Sequence, residues 1–228
     1  MVRKTSMRLY VAAAIITMLV FTTGLLLGFL VEGKRIGYIQ QQDFEKGIEL
    51  ESLQVQYLYI SVLGQEKNCR AMETTLSTSV KALEETRQRL EDYTKDSILN
   101  TNDFNLLLRQ YMIQETRYWL LSKQAKEMCK SDTVTILNFH NKECNGCEEE
   151  GFILNYMKKK LGDKLLIFSF DIDFKEEPTL SMLINTYNIT KTPTLIVEGQ
   201  KIEGPTTKEK LEEIICNKYE SKLQECSS

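Results

Sequence analysis

Residues 9–31, LYVAAAIITMLVFTTGLLLGFLV, run for 23 positions without a charge. A bilayer core about 30 Å thick needs roughly 20 apolar residues as helix, so this run is long enough to span with some tilt. A cleaved signal peptide is the other reading, but its apolar region runs to about 7–15 residues and ends in a small-x-small cleavage site. Here the run passes into Val31-Glu32-Gly33-Lys34 with no such site, so the sequence predicts an uncleaved signal anchor, a transmembrane helix held in the lipid bilayer. Arg3, Lys4 and Arg8 precede it, and Lys34 and Arg35 follow closely. The excess in front places the N-terminus, residues 1–8, in the cytoplasm and the rest of this cell-membrane, single-pass chain outside it. Gly24 and Gly28 form a GxxxG, which would let a second copy approach closely as a homodimer, although the motif also recurs by chance in apolar helices.

The three prolines stand at 178, 193 and 205, so the first 177 residues hold none and favour helix. Residues 32–130 are expected to form a helical stalk of about three helices. The first continues from the membrane to Gly64. The second runs over about 66–93 with an apolar stripe at Leu76, Val80, Leu83, Leu90 and Tyr93. A turn-rich loop, 95–103, precedes a third helix capped by Asn102 or Asp103 and ending near Met128. Coiled-coil pairing is one use of such a stalk, but Arg87 interrupts the seam; the simplest reading is a spacer or platform. About a loop centre near residue 99, Cys69 and Cys129 stand at equal distances. Helices of equal rise would bring them level, where a disulfide would close the hairpin. Two separate thiols are the alternative. A persistent bond needs an oxidising compartment, in agreement with an extracytoplasmic location. The net charge of −3 carries no polybasic signature, so nucleic acid is not an expected partner.

From Ser131 the pattern changes to strand, helix, strand, helix, strand, strand, helix. The strands are expected over 133–139, 164–173 (few polar interruptions, hence central), 194–198 and 201–203. The helices are expected over 151–161 (Phe152, Ile153, Tyr156 and Met157 on its apolar side), 177–188 and from a Thr206 or Thr207 cap to about Tyr219. This is an α/β layer domain over 131–220 with a short tail, 221–228. Straight after its first strand comes FHNKECNGCEEE, residues 139–150, with a C-x-x-C at Cys144 and Cys147. Cys144 at a helix N-terminus would have its negative sulfur stabilised by free N–H groups and the helix dipole, and a thiolate is the attacking species in disulfide exchange. Cys147, one turn on, is placed to resolve the mixed disulfide, and Asn145-Gly146 allows the tight turn.

The C-x-x-C after the first strand, together with Lys191-Thr192-Pro193-Thr194-Leu195-Ile196-Val197 before the third, resembles the thioredoxin superfamily. The likeness covers about 131–220. The resemblance implies an α/β thioredoxin-like C-terminal domain, here preceded by one transmembrane helix and an α-helical hairpin. It implies Cys144 as nucleophile and Cys147 as resolving thiol, with no cofactor. It also implies a cis peptide before Pro193, which with Thr192 shapes a substrate groove facing the pair; Thr at this place resembles isomerase-type members. Two positions depart from thioredoxins proper: Glu143 replaces an aromatic residue, and Asn138 replaces a buried carboxylate that assists proton transfer. The carboxylates of Glu143, Glu148, Glu149 and Glu150 oppose a thiolate, but they also suit a helix N-terminus.

His140, the chain's single histidine, makes H-x3-C-x2-C with the pair. It reads as a part-exposed residue after a strand, as a modulator like Glu143, or as one of three soft ligands needing a fourth, from Cys216 or another chain. Cys216 and Cys226 are too far apart to bond if one helix runs through both, but a helix ending earlier lets the tail fold back. Asn188-Ile189-Thr190 fits the N-glycosylation pattern. The function expected is that of a membrane-anchored thiol–disulfide oxidoreductase acting on cysteine-containing exported proteins or on a redox partner protein. A tethered binding or assembly module with a structural C-x-x-C disulfide is the alternative, and metal delivery a third.

Overall fold

The computed structural model describes residues 7, 10–28, 54, 69–95 and 101–226. They belong to two compact units, Met1–Gln56 and Tyr57–Ser228. In the first, helix α1 (Tyr10–Gly28) is 19 residues long and apolar enough to cross a membrane. The hydroxyls of Thr17, Thr22 and Thr23 each donate to the carbonyl four residues back at 2.9 Å, so these polar side chains bring no unpaired group into an apolar setting. Residues 9 and 29–31 of the expected span, the charged flanks used for orientation, and all but residue 54 of the expected stalk helix ending at Gly64 lie outside the described residues.

The second unit opens with a helical hairpin, α2 (Cys69–Lys95) and α3 (Thr101–Cys129). A bond between Cys69 and Cys129, Cα atoms 5.6 Å apart, joins its open end. Between the helices α2 buries Met72, Thr75, Ser79, Ala82 and Thr86. Of the expected stripe, Leu76 packs half-buried against the Met72, Leu121 and Ala125 cluster, whereas Val80 and Leu83 stand off the seam. Small residues let the helices close up, and the Thr75 and Thr86 hydroxyls donate to carbonyls of their own helix, which removes the cost of burying them. Val80 and Leu83 turn instead toward a cavity beside the sheet.

The sheet follows: β1 (Val134–His140), α4 (Cys147–Leu161), β2 (Leu165–Asp171), α5 (Pro178–Thr186), β3 (Thr194–Val197), β4 (Gln200–Glu203) and α6 (Lys208–Cys216). Its order is β2-β1-β3-β4. β1 and β2 are parallel, with Ile136 opposite Ile167, and the β1–β3 and β3–β4 pairs are antiparallel. Alternation along the strands divides the core. Val134, Ile136, Leu195 and Val197 face α4 and α6 on one side. Leu137, Phe139, Phe168, Phe170 and Ile196 face the other.

That second face is covered by α5 and by α3, which buries Met112 and Trp119 in the same cluster. Tyr118 meets Phe168 edge-on at 5.7 Å, and Trp119 meets Tyr187 at 6.4 Å. The hairpin is thus more than a spacer, and a boundary at 131 divides residues that share one core. β2, expected to be central, is an edge strand. Its apolar run reflects helices on both faces, and side chains cap its open edge. Glu115 of α3 accepts the Ser169 amide at 2.7 Å, and Lys158 donates to the Leu165 carbonyl at 2.9 Å.

Burial pushes the Glu115 carboxyl up to about 8, against the opposing pull of the Ser169 amide. The native state therefore keeps a proton that the unfolded chain loses near its ordinary value. This contribution is fully present below the unfolded value and is lost as pH rises through about 8, at up to about 1.4 kcal/mol per pH unit. Glu115→Gln, which retains an acceptor for Ser169, is expected to flatten this dependence. In urea titrations the variant should gain on the wild type between pH 5 and pH 8; an unchanged gap would show that Glu115 is ionised when folded.

Candidate redox site

β1 ends at His140 and α4 begins at Cys147, so six residues turn the chain from strand to helix. Cys144 stands in this turn, before the helix rather than within its first residues. It is bonded to Cys147, with Cα atoms 5.5 Å apart. Between them Gly146 caps α4 in a left-handed conformation, φ +93°, and its carbonyl accepts the Glu150 amide at 3.0 Å. Helix α4 starts earlier than the apolar pattern indicates, with Cys147 as its first residue.

Two other segments meet this turn. The Thr192–Pro193 peptide is cis. The Thr192 hydroxyl donates to Asn141 Oδ1 at 2.7 Å, which ties the proline turn to the stretch leading into Cys144. The Pro193 carbonyl accepts the Gly204 amide at 2.8 Å. The next residue, Pro205, presses on Gly146: a Cβ there would lie 2.6 Å from the Pro205 ring. Thr206, which follows it, donates its amide to Glu150 Oε2 at 3.0 Å. Gly204-Pro205-Thr206 thus braces both halves of the site, and the sequence reading missed it.

The acids around the pair fall into two groups. Glu143, Glu148 and Glu149 are exposed, whereas Glu150 is 1% exposed. It belongs to the inward stripe Glu150, Leu154, Met157, Leu161, while Phe152 and Tyr156, expected on the apolar side, are exposed. The i, i+4, i+7, i+11 spacing running back to Glu150 was the available signal. Burial raises the Glu150 carboxyl; the Thr206 amide opposes this and the Glu149 charge adds to it.

Asn138, one strand turn behind, donates to Ser169 Oγ at 3.2 Å. With Glu115 and Gly151 it lines a cavity of about 530 Å³ beneath α4. His140 lines a hollow with Phe104 of α3 and Asp171 of β2. Among the described residues, no group of three or more His, Cys, Asp or Glu side chains could hold a metal ion. Cys216 and Cys226 are bonded, Cα atoms 5.7 Å apart. Helix α6 stops at Cys216 rather than near Tyr219, so the tail turns back and buries Leu223 in the core.

Replacing Gly146 by Ala would force a left-handed residue into the Pro205 ring. Gly146→Ala is expected to destabilise the domain by about 1–3 kcal/mol, read as a lowered urea midpoint. Gly146→Ala with Pro205→Gly should recover the part due to the clash. Equal stability of wild type and single variant would count against the contact.

No family model and no curated protein sequence matches the chain. Solved structures do. A malarial protein is 18% identical, with 39% of this chain and 99% of that one covered and a TM-score of 0.33. A thioredoxin from Halobacterium salinarum is 20% identical over 40% of this chain and 80% of its own, TM-score 0.32. Chloroplastic thioredoxin z is 20% identical over 42% and 88%, TM-score 0.33. The sheet order, the cysteine pair after β1 and the cis proline before β3 make the fold of this domain thioredoxin-like.

Proposed function

We propose that the protein is a membrane-anchored thiol–disulfide oxidoreductase that exchanges with disulfides of extracytoplasmic proteins through Cys144 and Cys147. The observation that carries this reading is the bonded Cys144–Cys147 pair at the start of α4, beside the cis Thr192–Pro193 turn. In the reducing direction, the Cys144 thiolate attacks a substrate disulfide. One substrate sulfur leaves as a thiolate, and the other stays bonded to Cys144. Cys147 then gives up its proton and attacks Cys144, freeing the second substrate sulfur. Two electrons pass to the substrate, and the protein's disulfide re-forms. Oxidation runs the same steps backwards. Thr192 and Pro193 offer the groove against which an extended substrate segment lies.

The membrane assignment is supported by α1. The compartment is supported by the cysteines, since all six are bonded. Persistent disulfides of this kind belong to oxidising surroundings, and the basic residues in front of α1 agree with a cytoplasmic N-terminus. A second reading, a tethered binding module with an inert C-x-x-C bond, is favoured by one observation: Asn138 leaves the strand beneath the pair without a carboxylate.

Redox titration of the detergent-solubilised full chain, with alkylation and mapping of every cysteine, tests the proposal. A reversible Cys144–Cys147 couple is expected, absent in Cys144→Ser. It should be distinct from Cys69–Cys129 and Cys216–Cys226 bonds that resist reduction. A Cys144–Cys147 bond as resistant as the other two would favour the binding module.

A further inference from the structure

The redox cycle needs a destination for one proton. Cys147 must lose its hydrogen before its sulfur can close on Cys144. Asn138 carries no proton-accepting group, and the exposed acids Glu143, Glu148 and Glu149 stand in solvent. Glu150 differs from them in position and in surroundings. It lies three residues after Cys147 on α4, a spacing that puts Cβ atoms about 5–6 Å apart on one face of a helix. It is 1% exposed. One carboxyl oxygen accepts the Thr206 amide, and the other, Oε1, has no hydrogen-bond partner. A buried carboxyl with an idle oxygen is costly to keep, because burial of a polar atom without a partner opposes folding. A leucine at this point would continue the stripe of Leu154, Met157 and Leu161.

We propose that Glu150 is the internal group that accepts the proton of the Cys147 thiol as this sulfur closes on Cys144, and returns it when the bond reopens. The assignment rests on the oxidoreductase reading above. The step balances. The Cys147 S–H bond breaks, its proton passes to Glu150 Oε1, and the sulfur's electron pair forms the bond to Cys144. The Cys144–substrate bond breaks, and its electrons leave with the substrate thiolate.

The surroundings suit a carboxyl that changes protonation state. Burial favours the protonated form, the Thr206 amide favours the ionised one, and the Glu149 charge again favours the protonated one. The β4–α6 connection contributes an amide rather than a charge, and Lys208, at the start of α6, lies over the Tyr156 ring at 4.1 Å. On β1, His140 lines a hollow with residues of α3 and β2. Through Thr206 the carboxylate also holds the segment that carries Pro205 against Gly146, so proton uptake at Glu150 and the packing of the redox turn are linked.

The test uses the reduced full chain in detergent and a symmetrical aromatic disulfide. Attack by Cys144 releases one aromatic thiol, and closure by Cys147 releases the second, so the two phases report the two sulfurs separately. Glu150→Gln retains an acceptor for the Thr206 amide. It is expected to leave the first phase unchanged and to slow the second by about a hundredfold near neutral pH, with loss of the carboxyl inflection in its pH profile. Glu150→Asp should restore the inflection at a lower rate. Glu148→Gln, at an exposed acid of the same turn, should leave both phases as in the wild type. The inference is overturned if Glu150→Gln closes at the wild-type rate with the wild-type pH profile, or if Glu148→Gln slows closure equally. A wild-type chain that shows neither phase would overturn the oxidoreductase reading itself, and this assignment with it.

Discussion

The packing of α3 on the second face of the sheet is the contact on which the rest of the domain depends. After β1 the chain supplies three helices, α4, α5 and α6, and two of them lie on one face. The nine residues of α5 cannot cover Leu137, Phe139, Phe168, Phe170 and Ile196 alone. Met112 and Trp119 complete that cover. Truncating a buried residue of such size typically costs about 3–5 kcal/mol. The same helix supplies Glu115 to the open edge of β2, so one element both finishes the core and blocks strand pairing with another chain. The hairpin bond at Cys69–Cys129 holds α2 behind it.

A sheet fixed in this way holds the ends of β1 and β3, and those ends carry the two halves of the site. Neither half is held by its strand alone. The turn bearing Cys144 is tied through Asn141 to Thr192, and the Pro193 carbonyl is tied to Gly204. Pro205 and Thr206 then return to Gly146 and Glu150 on α4. Each contact is small. Together they limit how far the cysteine turn can move, and this is the preorganisation that the proposed exchange would require.

The sequence made the second layer of this organisation legible more readily than the first. The cysteine pair, the proline and the strand–helix order stand out because each depends on local chemistry: a helix start, a constrained peptide, a change of period. The role of α3 does not. It is buried against α2 through Leu121 and Ala125 and against the sheet through Met112 and Trp119, and Gln114, Glu115, Thr116 and Ser122 are buried as well, so no apolar stripe marks its inner side. The seam of α2 was obscured too. Its inward residues are small and partly polar, while Val80 and Leu83, which dominate a hydrophobic pattern, face a cavity. β2 reads as central because apolar runs report cover on two faces and say nothing about edges. Glu150 was grouped with its neighbours because four acids look alike until burial separates them.

The three disulfides differ in what they do for the fold. Their partners are separated by 60, 10 and 3 residues. In the chain-entropy account, the stabilisation from a cross-link grows with the logarithm of the loop it closes. Cys69–Cys129 should therefore restrict the unfolded chain by about 2.5 kcal/mol more than Cys144–Cys147 does. Opening the hairpin bond frees long helices that cover the sheet. Opening the short one frees a single turn, already held by Pro205, Asn141 and Glu150. The pair whose loss costs the fold least is Cys144–Cys147, and the proposed exchange, in which a bond opens and closes without unfolding its domain, requires a bond of that kind.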